Sequence, residues 1–179
     1  MTAQKKWNLK KKYFIIVGLI LVLLSAVGIG YNRSMQENGA ADGRTLSIVK
    51  EGEVIRTFSQ EELEQLPVKE VYADLASAQH EDARGRYKGV ELKELLKRTD
   101  PSLMKECDVF LCTAGDGYTS ALSGKEFKRK EPVLVAWEKD GKALAPFTQG
   151  GEGPLRLVIA SDTYGNRSTK YLTRIICKK

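Results

Sequence analysis

Tyr87-Lys-Gly-Val-Glu-Leu-Lys-Glu-Leu-Leu96 holds a clear helical signal in this chain of 179 residues. Leu92, Leu95 and Leu96 recur at the spacing that lines one face of an α-helix. They predict a helix over Val90–Arg98, with Pro101 marking its end. Upstream, Thr45–Lys50 and Glu53–Phe58 read as a hairpin turning at Glu51-Gly52. Ser59-Gln-Glu-Glu62 is a capping box that opens a short helix, and Pro67 ends it. Val68–Leu75 reads as a strand, and Leu75–Arg86 as a long polar loop. Downstream, Cys107–Thr113 is an apolar strand before the turn Ala114-Gly-Asp-Gly117. Ser123-Gly-Lys-Glu126 caps another short helix. Pro132–Glu138 is a strand turning at Asp140-Gly141, and Leu155–Ala160 and Tyr171–Cys177 are the last strands. Short strands broken by short capped helices predict an α+β domain with a mixed β-sheet core, spanning 44–179.

What precedes that domain is of another kind. From Tyr13 to Asn32 no side chain is charged, and Phe14-Ile-Ile-Val-Gly-Leu-Ile-Leu-Val-Leu-Leu24 forms its centre. Such a run is about as long as a hydrocarbon core is thick, and in lipid only a helix satisfies its backbone internally. Residues 13–32 are therefore expected to be a transmembrane signal-anchor helix. Lys5, Lys6, Lys10, Lys11 and Lys12 make residues 1–12 a basic cytoplasmic tail and send the rest of the chain to the extracytoplasmic side. The rival is a cleaved signal peptide ending near Ala26-Val27-Gly28, but the apolar run is longer than such segments usually are. Residues 33–43, polar and rich in small side chains, read as a linker.

The formal charge of +6 comes from 29 basic and 23 acidic residues. Setting the five N-terminal lysines aside leaves 24 basic residues against 23 acidic ones. A nearly neutral domain carries no electrostatic footprint for nucleic acid. Cys107, Cys112 and Cys177 permit at most one internal bridge. Cys107 and Cys112 fall in one expected strand, an odd number of positions apart, so they face opposite ways and do not pair. The three read as buried free thiols acting as small apolar residues. A bridge from Cys177 to either of the others is the alternative. No CxxC or CxxCH spacing supports a zinc or haem site.

Chemistry-bearing residues are few. His80 is the single histidine, and with Asp74, Glu81 and Asp82 it reads as a solvated loop residue. Gly150-Gly-Glu-Gly153 lacks the Lys-Ser or Lys-Thr of a phosphate-binding Walker loop. Tyr164-Gly-Asn-Arg-Ser-Thr-Lys170 is richer: two cations and two hydroxyls interleave beside a glycine that allows close backbone approach. Arginine offers a fork of donors and the hydroxyls add more, a mix suited to phosphate or another anion.

Taken in order, Phe58–Pro67, Tyr87–Leu96, Ala114–Tyr118, Val133–Trp137, Gly153–Leu157 and Tyr164–Ile175 resemble the oxidoreductase molybdopterin-binding domain, the sulfite oxidase-like fold. The resemblance covers nearly all of Thr45–Cys177. It implies a molybdenum–pyranopterin cofactor, a family that includes sulfite oxidases and periplasmic methionine sulfoxide reductases, and a grip on the pterin phosphate by Gly165, Arg167, Ser168 and Lys170. Catalytic members ligate molybdenum through a cysteine about ten residues before the aromatic-x-Gly of the second segment. Here the window 71–79 has no cysteine, and Ser77 stands near the expected place. A serine hydroxyl is a poor ligand for a soft metal centre. The resemblance does not extend to the dimerisation and haem domains of larger sulfite oxidases, so full sulfite oxidation is not expected. The expected function is thus a membrane-anchored module that binds a small anionic ligand, pterin or partner protein in the pterin pocket, with no metal ligands named. The other reading is a molybdopterin-dependent oxidoreductase with atypical ligation, passing electrons to a membrane redox partner.

Overall fold

The structure is a computed structural model and describes residues 43–75, 83–128, 132–162 and 165–179. Among the described residues no helix is long and apolar enough to cross a membrane. The expected span 13–32 lies outside them, as do the tail 1–12, Ser77, His80, Glu81 and Asp82.

The first hairpin forms where the turn residues place it. β1 (Thr45–Lys50) and β2 (Glu53–Ser59) pair antiparallel. Between them Glu51 and Gly52 take left-handed φ values of 53° and 90°. Glycine adopts such angles without strain, and the two together suit a tight primed turn. The Ser59 hydroxyl then accepts from the Glu62 amide, and the Glu62 carboxylate accepts from the Ser59 amide at 2.8 Å. That reciprocal cap opens α1 (Gln60–Glu64).

β3 (Val68–Asp74) and β4 (Arg84–Glu91) follow. Here the expected loop and helix boundaries both move. Arg84 and Arg86 belong to β4, not to a loop, because in the first half of this strand every second residue faces water. The two arginines pair with Asp74 and Glu70 of β3, which disguises half a strand as polar loop. At the other end Val90 and Glu91 complete β4, so α2 (Leu92–Thr99) starts two residues later than the leucine spacing suggests. It still buries Leu92, Leu95 and Leu96.

After α3 (Leu103–Glu106) come β5 (Val109–Ala114), β6 (Thr119–Ser123), β7 (Val133–Lys139), β8 (Lys142–Ala143), β9 (Arg156–Ile159) and β10 (Leu172–Lys178). β6 escaped the sequence reading; its inward Ser120 and Leu122 give too weak an alternation. The mixed core resolves into two five-stranded sheets. One runs β2-β1-β10-β5-β6, with β1 and β10 parallel. The other runs β3-β4-β7-β8 with β9 also on β7, every pair antiparallel.

β7 is buried on both sides. Val133, Val135 and Trp137 join Leu46, Ile48 and Phe110 of the first sheet in the main core. Leu134 and Ala136 point the other way, to a smaller cluster with Leu75, Tyr87 and Val158. A strand covered on both faces reads as an unbroken apolar run, which Val133–Trp137 is. Gly89 sits at the register shift between β4 and β7. A Cβ there would fall 2.1 Å from the Val135 carbonyl oxygen, so only glycine permits this approach.

The cysteine expectation needs correction. Cys107 and Cys177 are bridged, with Cα atoms 5.6 Å apart, and only Cys112 is free. Cys107 lies just before β5 rather than within it. The Asp108 amide donates to the Lys178 carbonyl at 3.0 Å, which draws this segment along the end of β10 and brings the two sulfurs together. Cys107 and Cys112 indeed do not pair.

Candidate anion site

The smaller cluster of the second sheet leads into a cavity of about 340 Å³. Leu75 and Ala83, which bracket residues 76–82, line it, together with Arg156, Gly165, Ser168 and Lys170. Its chemistry begins on β9. Leu155, Leu157 and Ile159 go to the main core. Strand alternation sends Arg156 and Val158 to the opposite face. Arg156 is 1% exposed. A guanidinium so far from water needs partners, since an isolated buried charge is very unfavourable. Its Nη1 donates to Glu152 Oε2 and, at 3.2 Å, to the Tyr87 hydroxyl. Tyr87 in turn donates to the Ala83 carbonyl at 3.1 Å. Arg156 Nε has no hydrogen-bond partner among the described residues.

Lys170 Nζ reaches the other oxygen of the same carboxylate, Glu152 Oε1, at 3.0 Å. Burial works against ionising Glu152, but the Arg156 charge and the Lys170 contacts outweigh it and hold the carboxyl below its ordinary value. Around Tyr87 burial dominates and pushes its hydroxyl up to about 12, so it stays protonated. Ser168 is 4% exposed, and its Oγ also lacks a partner among the described residues. A buried unpaired polar atom typically costs 1–3 kcal/mol. Two of them belong to Arg156 and Ser168, which line the same cavity.

Three of the four residues expected to grip an anion therefore meet here. Gly165 contributes by its smallness: a Cβ would lie 2.6 Å from the Leu75 carbonyl oxygen, so the turn Gly165–Arg167 packs on the end of β3 only with glycine. Arg167 is the exception, because it does not line the cavity. Its Nε and Nη2 hold both oxygens of Asp162 at 2.9 and 2.5 Å, and its Nη1 donates to Glu126 at 2.8 Å. The Asp162 bonds first, then Glu126, push its pKa further up against the opposing effect of burial. It clamps the 165–167 turn to the turn at Glu126–Lys128. The Tyr118 hydroxyl donates to the Asn166 carbonyl and holds the same turn from another side. Asp74 is engaged with Arg84 at the surface.

Sequence reasoning missed Arg156, Glu152 and Tyr87. A signal existed for the first: one cation inside the apolar run Leu155–Ala160. Cys112 offers nothing to the cavity. It is fully buried in the main core, and burial pushes its thiol up to about 12. Among the described residues no cluster of three His, Cys, Asp or Glu side chains could hold a metal ion. A second cavity of about 370 Å³, lined by Pro146, Phe147 and Pro154, shares Asp116 and Tyr171 with the first.

A family profile described as the oxidoreductase molybdopterin binding domain matches residues 35–179. The chain belongs to that family. The fold agrees: the sulfane dehydrogenase SoxCD from Paracoccus pantotrophus superposes with a TM-score of 0.58 at 19% sequence identity. The match covers 76% of this chain and 39% of that one, so the molybdopterin-binding domain here spans about two fifths of the larger chain. No curated protein matches the sequence.

Proposed function

We propose that this chain is a membrane-tethered, extracytoplasmic member of the molybdopterin-binding domain family. In this reading it binds a small phosphate-bearing or other anionic ligand between Arg156, Ser168 and Lys170, without thiolate-ligated molybdenum chemistry of its own. The tether rests on the uncharged run from Tyr13 to Asn32 and the five lysines before it. One observation carries the binding reading: Arg156 and Ser168 line the same cavity, and each holds a buried polar atom, Nε and Oγ, without a partner among the described residues.

A molybdenum–pterin cofactor, when bound, supplies a two-electron redox centre. The residues present fit its phosphate and not its metal. Arg156 and Lys170 would neutralise the phosphate charge, Ser168 would donate to it, and the Gly165 turn would let the backbone come close. For the metal, a thiolate is wanted, and all three cysteines are committed elsewhere: two to a disulfide and one, protonated, to the core. The oxidoreductase reading keeps one specific support, namely that Leu75 and Ala83, bracketing the segment with Ser77, line this same cavity. Ligation there would be atypical, with electrons passed to a membrane partner.

The test is analysis of the full-length chain purified from a host that makes the cofactor. Pterin or another phosphate compound without stoichiometric molybdenum is expected. Stoichiometric molybdenum would overturn the redox-silent reading. A protein that carries no anion and gives no calorimetric response to inorganic phosphate would remove the site altogether.

A further inference from the structure

Glu152 is an odd resident of an anion site. Its single carboxylate bridges both cations, Oε2 on Arg156 and Oε1 on Lys170. We infer that Glu152 is a displaceable internal counter-ion, which makes the cavity selective for tetrahedral oxyanions of more than one negative charge. This rests on the anion-site reading above and adds the class of anion admitted.

The backbone beneath Glu152 is fixed. A Cβ on Gly151 would lie 2.0 Å from the Ala145 carbonyl oxygen, and one on Gly153 2.4 Å from Leu144 Cβ. The Gly153 amide donates to Ala145 at 2.8 Å, the Gly151 amide to Pro146 at 3.1 Å, and the Tyr171 amide to the Glu152 carbonyl at 3.2 Å. The glycines thus bind the loop tightly to the chain before it. Any motion falls to the Glu152 side chain, which is 25% exposed and has a path to water. Arg156, 2% exposed at its side chain, has none and stays.

Donor counting gives the selectivity. Glu152 satisfies Arg156 Nη1 and Lys170 Nζ but leaves Arg156 Nε and Ser168 Oγ without acceptors. An incoming carboxylate brings two oxygens and one charge, no more than Glu152 already provides, so nothing drives the exchange. A ligand shifts such an equilibrium only by its difference in affinity for the two states. A phosphate monoester brings at least three acceptor oxygens and nearly two charges. It can take over both vacated donors and satisfy the two orphans as well.

The experiment titrates the full-length chain with inorganic phosphate and, separately, with acetate, by calorimetry. Wild type is expected to bind phosphate and ignore acetate. Glu152→Gln keeps the shape but removes the charge. It should bind phosphate on the order of tenfold tighter, as when a closed site becomes fully competent, and should gain measurable acetate binding. Equal or weaker phosphate affinity in Glu152→Gln overturns the counter-ion role. Glu152→Asp, too short to bridge both cations, guards against a folding artefact and should shift affinity in the same direction. Lys170→Gln separates the two readings. Phosphate affinity unchanged in Lys170→Gln sinks the site itself, whereas loss there without a gain in Glu152→Gln sinks only the gate.

Discussion

Arg156 and Arg167 lie eleven positions apart and share the same kind of partner, yet their surroundings have opposite charge. Arg167 faces two carboxylates, Asp162 and Glu126, and all three of its guanidinium nitrogens are hydrogen-bonded. Arg156 and Lys170 together face one carboxylate, Glu152, and one guanidinium nitrogen is left over. An excess of carboxylate makes a cation a clamp. An excess of cation leaves positive charge and free donors, and in a cavity those recognise anions. The ratio of charges within reach, more than the presence of an arginine, separates the clamp at Arg167 from the region proposed to bind an anion at Arg156.

The sharpest way to break this comparison is Arg156→Ala. It removes a buried side chain with its bonds to Glu152 and Tyr87, while Lys170 still compensates the Glu152 charge, so stability should fall by about 1–3 kcal/mol in chemical denaturation. Phosphate binding should be lost with it. If binding survives, the cation excess at β9 has no role in recognition.

Removal of the disulfide supplies the control, because Cys107 and Cys177 belong to neither region. Cys107→Ala with Cys177→Ala should cost about 2–4 kcal/mol. Phosphate affinity measured below the new unfolding midpoint should not change. Arg167→Ala should cost less, about 1–2 kcal/mol, because this side chain is 36% exposed and water screens its pairs. Its mark should be weaker anion binding through a loosened 165–167 turn, while Arg167→Lys keeps one ion pair and part of the affinity.

The smallest effect concerns acid stability. Glu152 titrates below its ordinary carboxylate value in the folded protein. Its contribution is therefore fully present above the pKa of the unfolded chain and is lost as pH falls through the lower folded value. Denaturation midpoints of wild type and Glu152→Gln should accordingly converge on acidification through that range. A constant gap between the two curves would show that the Glu152 charge is not what holds the Arg156 region.

The sequence alone determined whatever depends on neighbours along the chain. Glu51-Gly52, the Ser59–Glu62 cap, the one-sided leucines of α2 and the apolar run of β7 are local patterns, and each formed within a residue or two of its expected place. That Gly165, Ser168 and Lys170 come together was legible because they sit within six positions. What stayed illegible was decided across distance. Glu126 lies 41 positions from Arg167, Tyr87 69 from Arg156, and Cys107 70 from Cys177. Donor-rich residues in a row say that an anion can be held. Which arginine keeps a free donor depends on where carboxylates from other strands arrive, and only packing two sheets around one core fixes that.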